Sequence, residues 1–184
     1  MPILAAEPSL FPENLLDDYV DEGSERRWWA IYTKSRQEKS LARQLLGMEV
    51  PFYLPLIPKT SLIRGRKFTS QIPLFGSYMF LFANEHERVL ALTTERIVQL
   101  LPAPPGQEIA KDLQNVRELI KAGAPLTLES RLAVGRRVRV KSGALMGLEG
   151  VIMSRRGEDR LLVGVRFLQQ GASILIQDFQ VEPL

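Results

Sequence analysis

Residues 137–151 constrain the fold more than any other stretch. Val138 and Val140 alternate with Arg137, Arg139 and Lys141, then Gly143, Gly147 and Gly150 follow, and alternation resumes at Val151. Period-two alternation marks a half-buried strand, and closely spaced glycines supply turns that a Cβ would obstruct. Two strands joined by a Gly-punctuated loop are therefore expected, with Lys141 standing close to backbone that a partner can approach. From residue 134 onward the same pattern recurs, giving expected strands at 138–141, 149–155, 161–167, 174–176 and 179–181. Short strands split by Gly-rich turns over about fifty residues suit a small barrel.

Upstream, the pattern mixes helices and strands. Residues 28–33 are aromatic and apolar, as in a strand. Ser35 and Glu38 have capping-box spacing, and Leu41, Ala42, Leu45 and Leu46 follow at helical intervals up to Gly47, a natural C-cap. Residues 50–58 alternate but are interrupted by Pro51, Pro55 and Pro58, which points to an edge or bulged strand. Arg64, Gly65, Arg66 and Lys67 lie between two apolar runs, as a basic hairpin tip would. Residues 74–82 are almost wholly apolar, as in a central strand covered on both faces. Residues 85–92 read as a short helix and 97–101 as a strand. After a Pro-rich break, Ile109, Leu113, Val116, Leu119 and Ile120 outline an amphipathic helix that ends near Gly123.

Charge is unevenly placed. Residues 1–25 hold seven acids (Glu7, Glu13, Asp17, Asp18, Asp21, Glu22 and Glu25) and no base. Of the 21 acids and 24 bases in the chain, the remainder therefore keeps 14 acids against all 24 bases, a net charge near +10. Such a body attracts a polyanion, although an ordinary solvated basic surface would look the same. The acidic start, with scattered prolines and no period, reads as a disordered tail with a short amphipathic turn near Leu15 and Leu16. There is no cysteine, so disulfide frameworks and thiolate metal sites are excluded. No signal-peptide pattern or membrane-length apolar run is present, and a soluble, cytoplasmic, monomeric protein is expected.

Three segments carry a family resemblance. The run Arg27-Trp-Trp-Ala-Ile-Tyr-Thr33 resembles an R-W-Y opening strand. The run Leu74-Phe-Gly-Ser-Tyr-Met-Phe80 resembles an L-F-P-G-Y-V-F strand. The run Val134-Gly-Arg-Arg-Val-Arg-Val-Lys-Ser-Gly143, continuing through Gly147 and Gly150, resembles the V-G-D-x-V-R-V-x-x-G opening of a KOW domain. In this order and spacing they resemble the NusG family of transcription elongation factors. The resemblance implies an α+β chain. An NGN domain, a mostly antiparallel sheet flanked by helices, would be followed by a small SH3-like KOW β-barrel. The boundaries would then be a tail at 1–25, the NGN domain at 26–123, a linker at 124–132 and the KOW domain at 133–184. Gly76-Ser77 in place of the family's proline, and Ala144-Leu145-Met146 in place of a Pro-Phe pair, point toward a specialised paralogue of the RfaH, LoaP or UpxY type.

What the resemblance implies about function is binding, not catalysis. Tyr32, Phe75, Tyr78 and Phe80 match the apolar face that grips RNA polymerase clamp helices, with Phe80 mainly core. The same rings would serve equally well as ordinary core. Lys34, Arg36, Lys39 and Arg43, the last three on one helix face, would lie near upstream DNA and the exposed non-template strand. Arg64, Arg66 and Lys67 form a second candidate contact with polymerase or DNA. In the KOW motif (Arg139, Lys141, Gly143, Gly147 and Gly150) the expected partners are the ribosomal protein that doubles as NusE, the factor Rho, or RNA. Arg137, Arg155 and Arg156 add charge there, and Phe167, Ile174, Ile176 and Phe179 read as core or a docking strip. His86, between Glu85 and Glu87, cannot bring three ligands together on a helix, so no metal or cofactor is expected. No phosphate-cradling loop or catalytic triad is recognisable. The competing reading is an RNA- or ribosome-binding protein whose KOW barrel carries the activity.

Overall fold

The computed structural model describes residues 6–17, 24–105, 107–132, 134–176 and 180–184. Its contacts separate two compact units, residues 1–105 and 106–184. Every strand pairing in both is antiparallel.

In the first unit β1 (Leu10–Phe11), β3 (Phe52–Tyr53), β6 (Tyr78–Ala83), β2 (Arg27–Thr33) and β7 (Ile97–Pro102) form one sheet in the order β1-β3-β6-β2-β7. Alternation divides its side chains between two faces. Trp29, Ile31, Met79, Leu81, Ala83 and Phe52 point to the side where α1 (Glu38–Gly47) contributes Leu41, Ala42 and Leu45, and α2 (Glu85–Leu92) contributes Ala91. The other face carries Trp28, Ala30 and Tyr32, registered opposite Phe82, Phe80 and Tyr78. A separate two-stranded ribbon, β4 (Leu56–Ile63) with β5 (Arg66–Pro73), turns at Arg64-Gly65.

Three expectations are corrected here. The capping box at Ser35 and Glu38 does not form: α1 begins at Glu38, and the Glu38 carboxylate instead accepts the Ser77 backbone N–H at 2.6 Å. A capping box forms at α2, where Asn84 Oδ1 accepts from Glu87 N and Glu87 Oε2 accepts from Asn84 N, both at 2.9 Å. Gly47 is the last helical residue of α1 and not its left-handed cap; Glu49, with φ of 57°, makes that turn. Residues 6–17 also depart from the disordered tail expected of them. Leu10 and Phe11 pair with Tyr53 and Phe52, the Ser9 hydroxyl donates to Leu54 O at 2.7 Å, and Leu15 and Leu16 are buried. Acidic composition disfavours a core, but four apolar side chains close together, Leu10, Phe11, Leu15 and Leu16, suffice to dock a short segment. Of the other expected tail residues, 1–5 and 18–23 lie outside the described residues.

In the second unit the sheet order is β13 (Val181–Pro183), β9 (Arg136–Val140), β10 (Glu149–Arg155), β11 (Glu158–Val165), β12 (Gln170–Leu175) and β8 (Thr127–Glu129). Among the described residues β13 and β8 remain the two edges, so the pairing is that of a six-stranded open sheet with no closed barrel, and it does not confirm the expected SH3-like barrel. The stretch 124–132, expected as a linker, supplies β8. Helix α3 (Glu108–Lys121), expected in the first domain, belongs to this unit and packs on β11 and on the 3-10 turn Arg166–Leu168. Its Asp112 carboxylate accepts from Arg166 N at 3.0 Å, from Arg166 Nε at 3.1 Å and from the terminal guanidinium nitrogen at 3.0 Å. No helix among the described residues is long and apolar enough to cross a membrane.

Candidate functional site

Cross-strand register sorts the four aromatic candidates. Tyr32 on β2 lies opposite Tyr78 on β6, with ring centroids 5.2 Å apart and tilted by 42°. Tyr32 is 38% exposed and Tyr78 is half-buried, so this pair is open to solvent. Phe80 and Phe75 pack edge to face at 6.2 Å and are both fully buried. Burial of Phe80 agrees with a core role and removes it from the contact set. Phe75, expected to be presented outward, is corrected for the same reason: the chain turns between it and Tyr78, and the ring goes inside.

That turn is what aims Tyr78. Ser77 has φ of 63°, its carbonyl accepts Thr33 N–H at 2.8 Å, and its N–H donates to Glu38. One carboxylate on α1 thus fixes the start of β6 beside the end of β2. Sequence reasoning missed this contact because Glu38 had a plausible local role.

The α1 cations do not form the expected helical stripe. Lys34 and Arg36 precede the helix, Arg36 in a left-handed conformation, and both are exposed. Lys39 is half-buried, and Arg43 is paired with Glu7 at 2.7 Å. Lys34 and Arg36 lie just beyond Tyr32 and Thr33, past the end of β2, so charge and exposed aromatic surface share one end of the sheet. Arg96, which no sequence signal singled out, braces α1 by donating to Gln44 Oε1 at 3.0 Å and to Gln37 Oε1. Arg64, Arg66 and Lys67 are exposed at the ribbon tip.

In the second unit the glycine-rich turn forms as expected. Gly143 and Gly147 have positive φ of 87° and 89°. A Cβ on Gly150 would lie 2.5 Å from Leu162 O, so β10 can approach β11 only without one. Arg139 is less available than expected, because Glu149 accepts it at 2.7 Å and Lys111 of α3 at 2.9 Å. Those two cations hold the Glu149 carboxyl below its ordinary pKa, Arg139 contributing most. Lys141 remains exposed. Ile174 is buried, Phe167 and Ile176 are half-buried, and Phe179 lies outside the described residues. A polar network ties down β8: Glu129 accepts Arg155 at 2.9 Å and the Ser173 hydroxyl at 2.7 Å, and Arg160 donates to Ser173 Oγ at 2.8 Å and Thr127 Oγ1 at 3.0 Å. Among the described residues no cluster of His, Asp or Glu is arranged to hold a metal.

Residues 26–129, more than half of the chain, match the family model described as "NusG: Transcription termination factor nusG". The chain belongs to the NusG family. It is a NusG-like transcription factor, of a family whose members bind RNA polymerase and have no catalytic activity of their own. No curated protein matches the chain. The matched stretch contains the exposed tyrosine pair, the ribbon and α3, and it ends at Glu129 in β8. The glycine-rich turn of this NusG-like chain lies beyond it.

Proposed function

We propose that this NusG-like protein is a cytoplasmic elongation and antitermination factor. Its first unit binds RNA polymerase through Tyr32 and Tyr78, and its second unit recruits a partner, the ribosomal protein NusE, Rho or RNA. The observation that carries the reading is the open Tyr32–Tyr78 pair on a sheet face whose other rings, Trp28, Phe80 and Phe82, are buried. Tyrosine gives large apolar contact with few rotors to freeze, and its hydroxyl tolerates a wet rim. A helical hairpin of the polymerase clamp can lay side chains beside such a pair. Lys34 and Arg36, at the same end, then face upstream or non-template DNA as sequence-independent phosphate contacts. Preferential binding to the closed clamp suppresses pausing and termination, since a few kcal/mol of preference shifts such an equilibrium strongly. Gly76-Ser77 and Ala144-Leu145-Met146 favour a specialised paralogue.

Tyr78→Ala is expected to abolish co-purification with RNA polymerase while the protein keeps its thermal transition to within a few degrees. Undiminished co-purification would refute the polymerase reading and favour an RNA- or ribosome-binding role for the second unit.

A further inference from the structure

We infer that the β4–β5 ribbon is a reader of unpaired nucleic-acid strands, with Phe68 as its stacking platform. This deepens the nucleic-acid half of the proposed role and is independent of polymerase contact.

The ribbon is built to stand alone. All eight residues of β4 are registered against β5, from Leu56↔Pro73 to Ile63↔Arg66. The turn places both central residues at positive φ, Arg64 at 50° and Gly65 at 77°, which matches the twist of a two-residue hairpin. Thr60 and Thr69 hydroxyls meet across it at 3.2 Å. Toward the tip its side chains are solvent-exposed nearly throughout.

Charge and apolar surface coincide there. The ribbon carries Lys59, Arg64, Arg66 and Lys67, and no acidic residue occurs between Glu49 and Glu85. None of the four has a carboxylate partner among the described residues, whereas Arg26, Arg43, Arg88, Arg139, Arg155 and Arg166 all do. Beside these cations Leu62 is 70% exposed, Ile63 54% and Phe68 49%. Alternation puts Ile63, Arg66 and Phe68 on one face and Leu62 with Lys67 on the other. Charges that only protect a sheet edge need no bared Phe, Ile and Leu among them. A duplex hides its base faces by stacking and would meet the cations alone. An unpaired strand offers base faces and phosphates side by side, the combination that aromatic-plus-basic surfaces bind without sequence preference.

The test is fluorescence anisotropy of the full chain with labelled oligothymidylate, oligouridylate and a duplex of equal length, with no polymerase present. Tighter binding of the single strands than of the duplex is expected, and the two oligonucleotides distinguish DNA from RNA as the preferred strand. Phe68→Ala should weaken single-strand binding about tenfold and leave the salt slope unchanged, and Phe68→Trp should retain it. The triple change Arg64→Gln, Arg66→Gln, Lys67→Gln should reduce the slope of log K against log salt by about 2, at ~0.7 per phosphate. Absence of single-strand binding, a duplex preference with Phe68→Ala silent, or an unchanged slope in the triple variant would each overturn the assignment. Loss of polymerase co-purification in Tyr78→Ala does not bear on any of these readings.

Discussion

Replacing Asp112 with alanine tests whether α3 is held by the C-terminal sheet. The carboxylate is nearly buried, with its side chain 9% exposed, and receives three donors from Arg166 at 3.0 to 3.1 Å. The Arg166 side chain is 46% exposed, so water screens the guanidinium and that part of the interaction contributes only about 0–1 kcal/mol. Donation from the Arg166 backbone N–H to a charged acceptor adds roughly 1.5 kcal/mol, because nothing replaces it in the variant. Together Asp112→Ala should lower the local opening free energy of α3 by about 2 kcal/mol, or roughly thirtyfold faster amide exchange. Native-state hydrogen exchange of the full chain measures this, with the β2 and β6 amides as an internal reference that should not move. Asp112→Asn, which keeps one acceptor oxygen, should give a smaller acceleration. A change of less than about threefold in α3, or an equal change in β2 and β6, would refute the assignment of this helix to the second unit.

Three further outcomes follow from local geometry. Ser77→Gly should stabilise the first unit by about 0.5–1 kcal/mol in urea unfolding, because the left-handed φ at this position strains a residue with a Cβ, while the bond to Glu38 uses only the backbone. Asn84→Ala should cost about 1 kcal/mol in the same measurement, since the reciprocal cap of α2 loses its acceptor. The Glu149 carboxyl is held below its ordinary pKa by Arg139 and Lys111, so its stabilising contribution is complete above the normal carboxylate range. It is lost as pH falls through the lowered value. Glu149→Gln should flatten that acid limb of the stability profile; a limb of undiminished steepness would mean that other carboxylates govern it.

Elements whose pattern is local were legible in the sequence. Helix α2 at Glu85–Leu92 and strand β10 at Glu149–Arg155 fall where periodicity puts them, and the glycines at 143, 147 and 150 sit at a turn and at a close strand approach. Ambiguity entered where one residue had two physically reasonable partners. Ser35 and Glu38 had the spacing of a cap, yet Glu38 was taken by Ser77, 39 residues away in a turn that only the folded sheet creates. Phe75 and Tyr78 belong to one aromatic run, and no property of either ring says which goes inside. Residues 6–17 looked too acidic and proline-rich for order, because their stability depends on a vacant sheet edge at β3.

Hydropathy and turn chemistry, which act over a few residues, therefore determined the kind and position of most elements and the basic character of the body. Only tertiary structure decided which apolar face each element covers. The amphipathic stripe of α3 states that one side must leave water, not which surface will receive it, and the bonds of Asp112 to Arg166 resolve that choice in favour of the second unit. The same holds for Tyr32 and Tyr78. Their exposure arises from strand register and a single left-handed turn, and long-range pairing of that sort is set by packing geometry that no short window of sequence contains.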